Sequence, residues 1–270
     1  MGSEKRSNLV WKTEHEFQAE YLGDYDFLYR DWIYPWAYED FKDKEVLDAG
    51  SGPGIQARLI ARYAKHVIAV DLDAIDTTRK QTADISDKVD YVRADIGTMD
   101  LGRQFDFVNC VGTIHHTDDP DKTFRNLLKH VRPGGKLIIW TYAHEGNQLM
   151  RCFVEPMRKA LLDKASHEIL WALSGLLNAV LYIPTYTLYH LPLKWLPYYE
   201  YLENARRMSF RRNALNIYDK LNAPQTHFIT EKQIRSWFNT DHFEDIHISM
   251  YKGVSWRGSG TKRWSEKEEI

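Results

Sequence analysis

The feature that most constrains this chain is Val46-Leu-Asp-Ala-Gly-Ser-Gly-Pro-Gly54, an apolar run that ends in three alternate glycines directly before a helical segment. Such a stretch reads as a buried strand, a tight turn and the start of a helix. Glycine admits positive φ and lets a ligand approach the main chain, while a helix N-terminus presents unpaired N–H groups. The same alternation continues downstream. Strands are expected at 45–49, 66–70, 88–94, 105–110 and 136–142, with helices over 55–63, 74–83 and 120–130 between them. Short apolar runs alternating with helical segments build βαβ units around a parallel sheet. Arg132-Pro-Gly-Gly135 is expected to stop the third helix and turn the chain into the fifth strand.

Around this core lie two departures. Residues 13–41 read as two short helices dense in aromatic rings, Phe17 and Tyr21 through Phe41, which either cap the front of the sheet or pack on its face. Residues 145–225 break the alternation with a helical, aromatic, proline-punctuated insertion. A capped helix then starts at Thr230, and strands at 243–250 and near Val254 close the sheet. The expected architecture is one doubly wound, mostly parallel, seven-stranded Rossmann-like α/β domain over 1–270. It divides into an N-terminal helical cap (1–42), a core (43–144), a helical lid (145–228) and a closing helix with strands (229–270).

The chemistry sits at strand ends. Asp48 precedes the glycines, Asp71 follows the second strand seventeen residues after Gly54, and Asp95 follows the third. Open α/β sheets bind ligands at this edge. Gly52-x-Gly54-x-x-Ala57 would also pass as a dinucleotide fingerprint, so glycine spacing alone leaves an NAD-dependent oxidoreductase as an alternative. A carboxylate at Asp48 favours a cationic ligand over a pyrophosphate. Tyr is absent four positions before each candidate Lys after the fourth strand, which removes the short-chain dehydrogenase pair.

In order and at the usual separations, VLDAGSGPG, VIAVDLD, YVRADI, FDFVNCVGTIHH and LLKHVRPGGKLIIW resemble the successive motifs of class I S-adenosylmethionine-dependent methyltransferases. The likeness covers roughly 45–142 and is greatest to the small-molecule branch that includes quinone-biosynthesis enzymes, where Gly-x-x-His-His follows the fourth strand. That resemblance implies S-adenosylmethionine as cofactor, with S-adenosylhomocysteine as product, and a small-molecule methyl acceptor reacting through O, N or C. By it, Asp48 with Gly50, Ser51, Gly52 and Gly54 hold the methionine end. Asp71 with Leu72 hold the ribose, Asp95 and Ile96 the adenine, and the Cys110 main chain lines the pocket. A non-catalytic S-adenosylmethionine-binding protein on the same fold is the other alternative.

His115 and His116 follow the fourth strand, on the loop that in this fold faces the methyl group, and are the candidate general bases, since imidazole titrates near neutrality. Acceptor selection falls to the insertion. No Asp, Glu, Lys or Arg occurs between Glu168 and Lys194, and four arginines follow within 206–212. The run reads as a lid helix pair, a homodimer contact, or a greasy patch over 169–212 for a lipid-like acceptor or a membrane surface. The arginines suit a phosphate or carboxylate of the acceptor, or lipid headgroups. Tyr218, Asp219 and His227 are candidates for the mouth of the site.

Formal charge is −2, which gives no reason to expect a nucleic-acid partner. Two cysteines without ligand spacing, and residues 1–12 without the apolar core of a secretory signal, lead us to expect no metal and a cytoplasmic location.

Overall fold

In the computed structural model, residues 25–162, 165–223 and 225–264 are described. Seven strands form one sheet in the order β3-β2-β1-β4-β5-β7-β6. Strands β1 (Glu45–Ala49), β2 (His66–Asp71), β3 (Val89–Arg93), β4 (Phe105–Val111) and β5 (Val131–Tyr142) are parallel neighbours. Strand β7 (Ser255–Lys262) runs antiparallel between β5 and β6 (Phe243–Tyr251). The chain therefore reverses its winding between β1 and β4, and the carboxyl ends of these two strands face a common crevice.

Both faces are covered, which is why the central strands are apolar on both sides. On one face α1 (Tyr25–Trp32), the turn and 3-10 helix (Tyr38–Phe41) that follow it, and α2 (Ile55–Ala61) pack through Tyr29, Ile33, Tyr38, Phe41, Ile55 and Ile60 onto Val46, Val67 and Phe107. On the other, α4 (Pro120–Lys129) and α9 (Glu231–Trp237) bring Phe124, Leu127, Ile234 and Trp237 onto Leu47, Val108 and Ile139. Helix α3 (Ile75–Gln81) follows β2. The helix starts obey local capping chemistry: the Asp119 carboxylate accepts from Lys122 N before Pro120, and the Thr230 hydroxyl from Gln233 N.

One expectation changes, and the N-terminal rings follow one of the two alternatives given for them. Residues 132–135 belong to β5 itself: Val131 pairs with Phe105 and Lys136 with Phe107, so the Pro-Gly-Gly step is absorbed as a shift of register with Gly134 at φ +74°. The N-terminal rings pack mainly on the sheet. Tyr38 stacks on Tyr29 and Tyr63, and Phe41 meets Phe107 edge-on. Residues 13–24, with Phe17 and Tyr21, lie outside the described residues.

The insertion between β5 and α9 holds α5 (Glu155–Leu161), α6 (His167–Tyr186), α7 (Tyr199–Arg207) and α8 (Phe210–Asn222). A separate small core of Leu170, Leu215, Tyr218 and Leu221 joins α6 to α8. Burial of each such side chain contributes roughly 1.5–3 kcal/mol. Beyond α8 the chain returns along the core: His227 N donates to the His115 carbonyl at 2.8 Å, and Ile229 N to the Tyr142 carbonyl at 2.9 Å.

Candidate active site

A cavity of about 1070 Å³ opens at the carboxyl ends of β1, β2 and β4 and extends to the inner faces of α7 and α8. Its floor is the glycine turn. Gly50, Gly52 and Gly54 adopt φ of +83°, +50° and +86°. Gly50 N and Ser51 N both donate to the Val70 carbonyl, at 2.8 and 3.0 Å, and Thr113 Oγ1 donates to the Gly50 carbonyl at 3.0 Å. A Cβ on Gly50 would stand 2.3 Å from Thr113 Cγ2. Gly54 sits outside the wall, at the start of α2, where its φ and its closeness to Thr78 fix the entry of that helix. Gly50, Ser51 and Gly52 are in the wall.

Asp71 is buried in the wall, its Oδ2 accepting from Gly52 N at 2.9 Å and its Oδ1 from Asp73 N and Ala74 N at 2.9 and 2.8 Å. One carboxylate thus joins the glycine turn to the first turn after β2. Leu72 is 46% exposed beside it, an apolar surface on the cavity side. Asp95 accepts from Gly97 N and Thr98 Oγ1, with buried Ile96 next to it in the wall. Asp73, Asp118 and Asp119 add to the same end, where Lys122 is a cation. This wall fits a ligand with net positive charge and hydroxyls to donate. It does not fit a pyrophosphate, because like charges about 4 Å apart repel by roughly 4 kcal/mol at an effective dielectric of 20. S-adenosylmethionine, with its sulfonium and ammonium groups, meets that requirement.

Four expected residues lie outside the wall: Gly54, as described, and Asp48, Cys110 and His115. Asp48 is fully buried under the turn, outside the wall, with Oδ1 accepting from Asn109 Nδ2 at 3.1 Å and Oδ2 lacking a hydrogen-bond partner. Its hydrogen bond runs to β4, and its carboxylate is not part of the cavity wall. The Cys110 side chain points into the core, and Val111, Gly112 and Thr113 line the cavity at that strand end. His115 is 1% exposed and also outside the wall, its Nδ1 3.2 Å from Thr141 Oγ1. Burial, with His116 and His227 nearby, holds its pKa well below the ordinary imidazole value, so it is a neutral packing residue. A short 3-10 turn over Ile114–His116 sends the two adjacent rings to different surroundings.

His116 is in the wall. Its Nδ1 lies 2.8 Å from the Gln225 carbonyl, which can only accept, so the proton of the neutral ring is on Nδ1 and the lone pair on Nε2. Gln225 Nε2 in turn donates to the His116 carbonyl and to Asp118. Beyond His116 the cavity is walled by Trp32, Trp140 and Tyr142, with Trp32 and Trp140 centroids 4.7 Å apart. Helices α7 and α8 supply Tyr201, Asn204, Met208, Arg212, Asn216 and Lys220 at helical spacing, so a polar stripe of each helix faces inward. Lys220 Nζ donates to Tyr201 Oη at 3.1 Å and to the Asn216 carbonyl at 3.2 Å. Burial disfavours its charge, but Tyr201, Tyr142 and Asp219 outweigh this and keep it an ammonium.

The arginine run divides by direction: Arg212 is buried in the cavity wall, Arg206 donates to the Tyr189 carbonyl, and Arg207 and Arg211 are exposed. Asp219 lines the cavity, whereas Tyr218 is buried against His167 at 2.6 Å and His227 lies outside the wall. Of the four arginines offered for the acceptor, Arg212 alone lines the cavity, while Lys220 and the tryptophans are site residues that the sequence reading does not name. The signal for Arg212 and Lys220 was their i, i+8 spacing on α8, in register with Asn216.

Asp48 makes a pH prediction. Burial pushes its pKa from 3.8 up to about 7, against the Asn109 hydrogen bond and with Asp71 adding to the rise. A carboxyl raised in the folded state favours folding fully below pH 4 and loses that contribution as pH climbs through 7. Asp48→Asn escapes the loss. Urea unfolding should show the variant gaining on the parent between pH 3 and 8, by up to about 4 kcal/mol; a constant difference would show that Asp48 does not titrate there.

Known proteins bear on this geometry as follows. A family profile described as a methyltransferase domain matches residues 47–139. A ubiquinone biosynthesis O-methyltransferase from Rickettsia bellii is 32% identical over 106 residues, 38% of this chain and 44% of that protein. One of the same description from Aromatoleum aromaticum is 33% identical over 136 residues, 48% and 56%. The chain thus spans about half the length of these curated relatives. Among solved structures, an O-methyltransferase family protein from Burkholderia thailandensis superposes over 89% of this chain and 57% of its own at a TM-score of 0.51 and 12% identity. The methyltransferase SibL does so over 89% and 56%, at 0.51 and 15%. These two likenesses extend the shared fold beyond the glycine core.

Proposed function

We propose that this chain, whose residues 47–139 match a methyltransferase domain, transfers the methyl group of S-adenosylmethionine to an oxygen of a small, amphiphilic acceptor. The observation that carries this reading is the polarity of the cavity. Five aspartates, Asp71, Asp73, Asp95, Asp118 and Asp119, lie in its wall at the glycine end with one cation, Lys122, while α8 supplies two cations, Arg212 and Lys220, with one acid, Asp219. A cationic cofactor suits the first end and an acceptor with an electron-rich or anionic group the second. Trp32, Trp140 and Tyr142 between them offer flat apolar surface for a ring. The relatives named as ubiquinone biosynthesis O-methyltransferases support oxygen as the atom methylated and an acceptor with an apolar tail.

Asp71 would hold the ribose hydroxyls, Asp95 and Ile96 the adenine, and the glycine turn the methionine end. When bound, S-adenosylmethionine supplies a methyl carbon activated by its sulfonium. Alignment of nucleophile, carbon and sulfur accounts for most of the rate in such a displacement. His116 takes the acceptor hydroxyl proton at Nε2 as the oxygen attacks, and its Nδ1–H stays on the Gln225 carbonyl.

Calorimetric titration with S-adenosylhomocysteine and, in parallel, NAD tests the cofactor: micromolar binding of the first alone is expected, and binding of NAD instead would overturn the reading. His116→Gln should leave S-adenosylhomocysteine affinity unchanged and lower kcat by about 100-fold or more, within the usual contribution of general-base catalysis. An unchanged kcat would remove proton transfer from the scheme while leaving the cofactor site standing.

A further inference from the structure

We propose that the outer face of α6 is a membrane-docking surface, on which the protein lies in the headgroup region of an anionic lipid bilayer. Nineteen large apolar side chains are exposed among the described residues, and sixteen of them fall between positions 149 and 210. Scattered exposure of this kind is ordinary, but concentration in one segment is not. Helix α6 has its polarity reversed. Its buried side chains are Leu170, Ser174, Asn178 and Thr185, while Ile169, Leu176, Val180 and Ile183 are 58–70% exposed.

The inward polar groups are bonded within the protein. Ser174 donates to the Leu170 carbonyl, and Asn178 donates to the carbonyl of Phe210 on α8. That anchoring fixes how the helix can meet lipid. A spanning helix would need apolar surface all round, whereas α6 has one face committed to α8 and one face bare, the arrangement of a helix lying in the plane of an interface. At twenty residues it is about 30 Å long.

The margins of the face select lipid over a second protein copy. The apolar surface continues through Leu188 and Leu191 to Trp195, 77% exposed, beside exposed Lys194. Tyr182 stacks on Tyr186 and contacts Phe210, which places exposed Arg211 next to the face. Tryptophan, tyrosine and cations around an apolar centre match the headgroup level of an anionic bilayer. Acids at the margin are Glu168, at the start of α6, Glu200, and Glu203, which is within electrostatic reach of Lys194 but is bonded to Lys252, while 169–193 carry no charge. A second copy seated on this uncharged face would offer Lys194 and Arg211 few acids to pair with, whereas anionic headgroups supply phosphates at that level. The opposite side of α8 lines the cavity, so docking sets the acceptor end of the site one helix layer from the lipid.

The test is flotation of the whole chain with vesicles of phosphatidylcholine alone or mixed with phosphatidylglycerol, alongside sedimentation velocity without lipid. The unaltered protein should float with the mixed vesicles. Leu176→Asp/Ile183→Asp should lower the bound fraction about tenfold or more at an unchanged thermal midpoint, since both side chains are exposed. Lys194→Glu should weaken binding to the mixed vesicles and not to phosphatidylcholine alone. Failure of the unaltered protein to float overturns the proposal. So does a dimer that the double substitution splits in the absence of vesicle binding, which would make a second copy the occupant. Neither result touches the methyl-transfer reading, which the titrations decide separately.

Discussion

Gly50→Ala is expected to remove measurable S-adenosylhomocysteine binding and to lower stability by about 2–5 kcal/mol, combining a left-handed backbone with overpacking. Position 50 has φ +83°, and an added methyl would stand 2.3 to 2.5 Å from three atoms of Thr113, whose hydroxyl is bonded to the Gly50 carbonyl. The two loops that close the cofactor end, one after β1 and one after β4, must therefore separate. Urea unfolding and calorimetry measure the two losses. Thr113→Gly in the same chain removes the clash and leaves the backbone strain, so it should restore part of the stability. Full binding by Gly50→Ala would mean that the loops part without consequence.

Asp71→Ala is expected to weaken S-adenosylhomocysteine binding at least tenfold, ~1.4 kcal/mol. The structure gives two reasons for this. The carboxylate lies in the cavity wall, where in the proposed reading a ribose hydroxyl would donate to Oδ2, and it accepts main-chain hydrogens of Gly52, Asp73 and Ala74. Adenosine, which lacks the methionine end, should suffer a similar loss. Asp71→Asn, which keeps the shape and loses the charge, should fall between. Unchanged affinity in Asp71→Ala would take the residue out of the site.

The core was legible because parallel strands buried on both faces are written as uninterrupted apolar runs: Glu45–Ala49 was located to the residue, and His66–Asp71 to within one. The loops were legible because glycine at positive φ and aspartate at strand ends have few other uses. What escaped was directional. Asp48 and Cys110 sit on strands buried on both faces, and the sequence does not show that the cavity wall begins only at Gly50 after β1 and at Val111 on β4. His115 and His116 are neighbours on a tight turn, and their separation needs the turn itself. Arg212 and Lys220 resemble charges on the wet face of a helix, since a polar stripe reads the same whether it faces solvent or a polar cavity. The run at 169–193 was read as apolar, but that its apolar side is the outer one follows only from α8 occupying the other.

The Gln225 contact ties two inheritances together. His116 belongs to the shared core, yet its Nδ1 is held by a carbonyl from the last residues of the insertion, 109 positions away. Replacing the insertion to accept a different molecule would also replace the group that fixes which imidazole nitrogen can take a proton. In this architecture a change of diet is a change of chemistry, so chimaeras that graft a foreign insertion onto this core should be judged by their pH profiles as well as by their substrates.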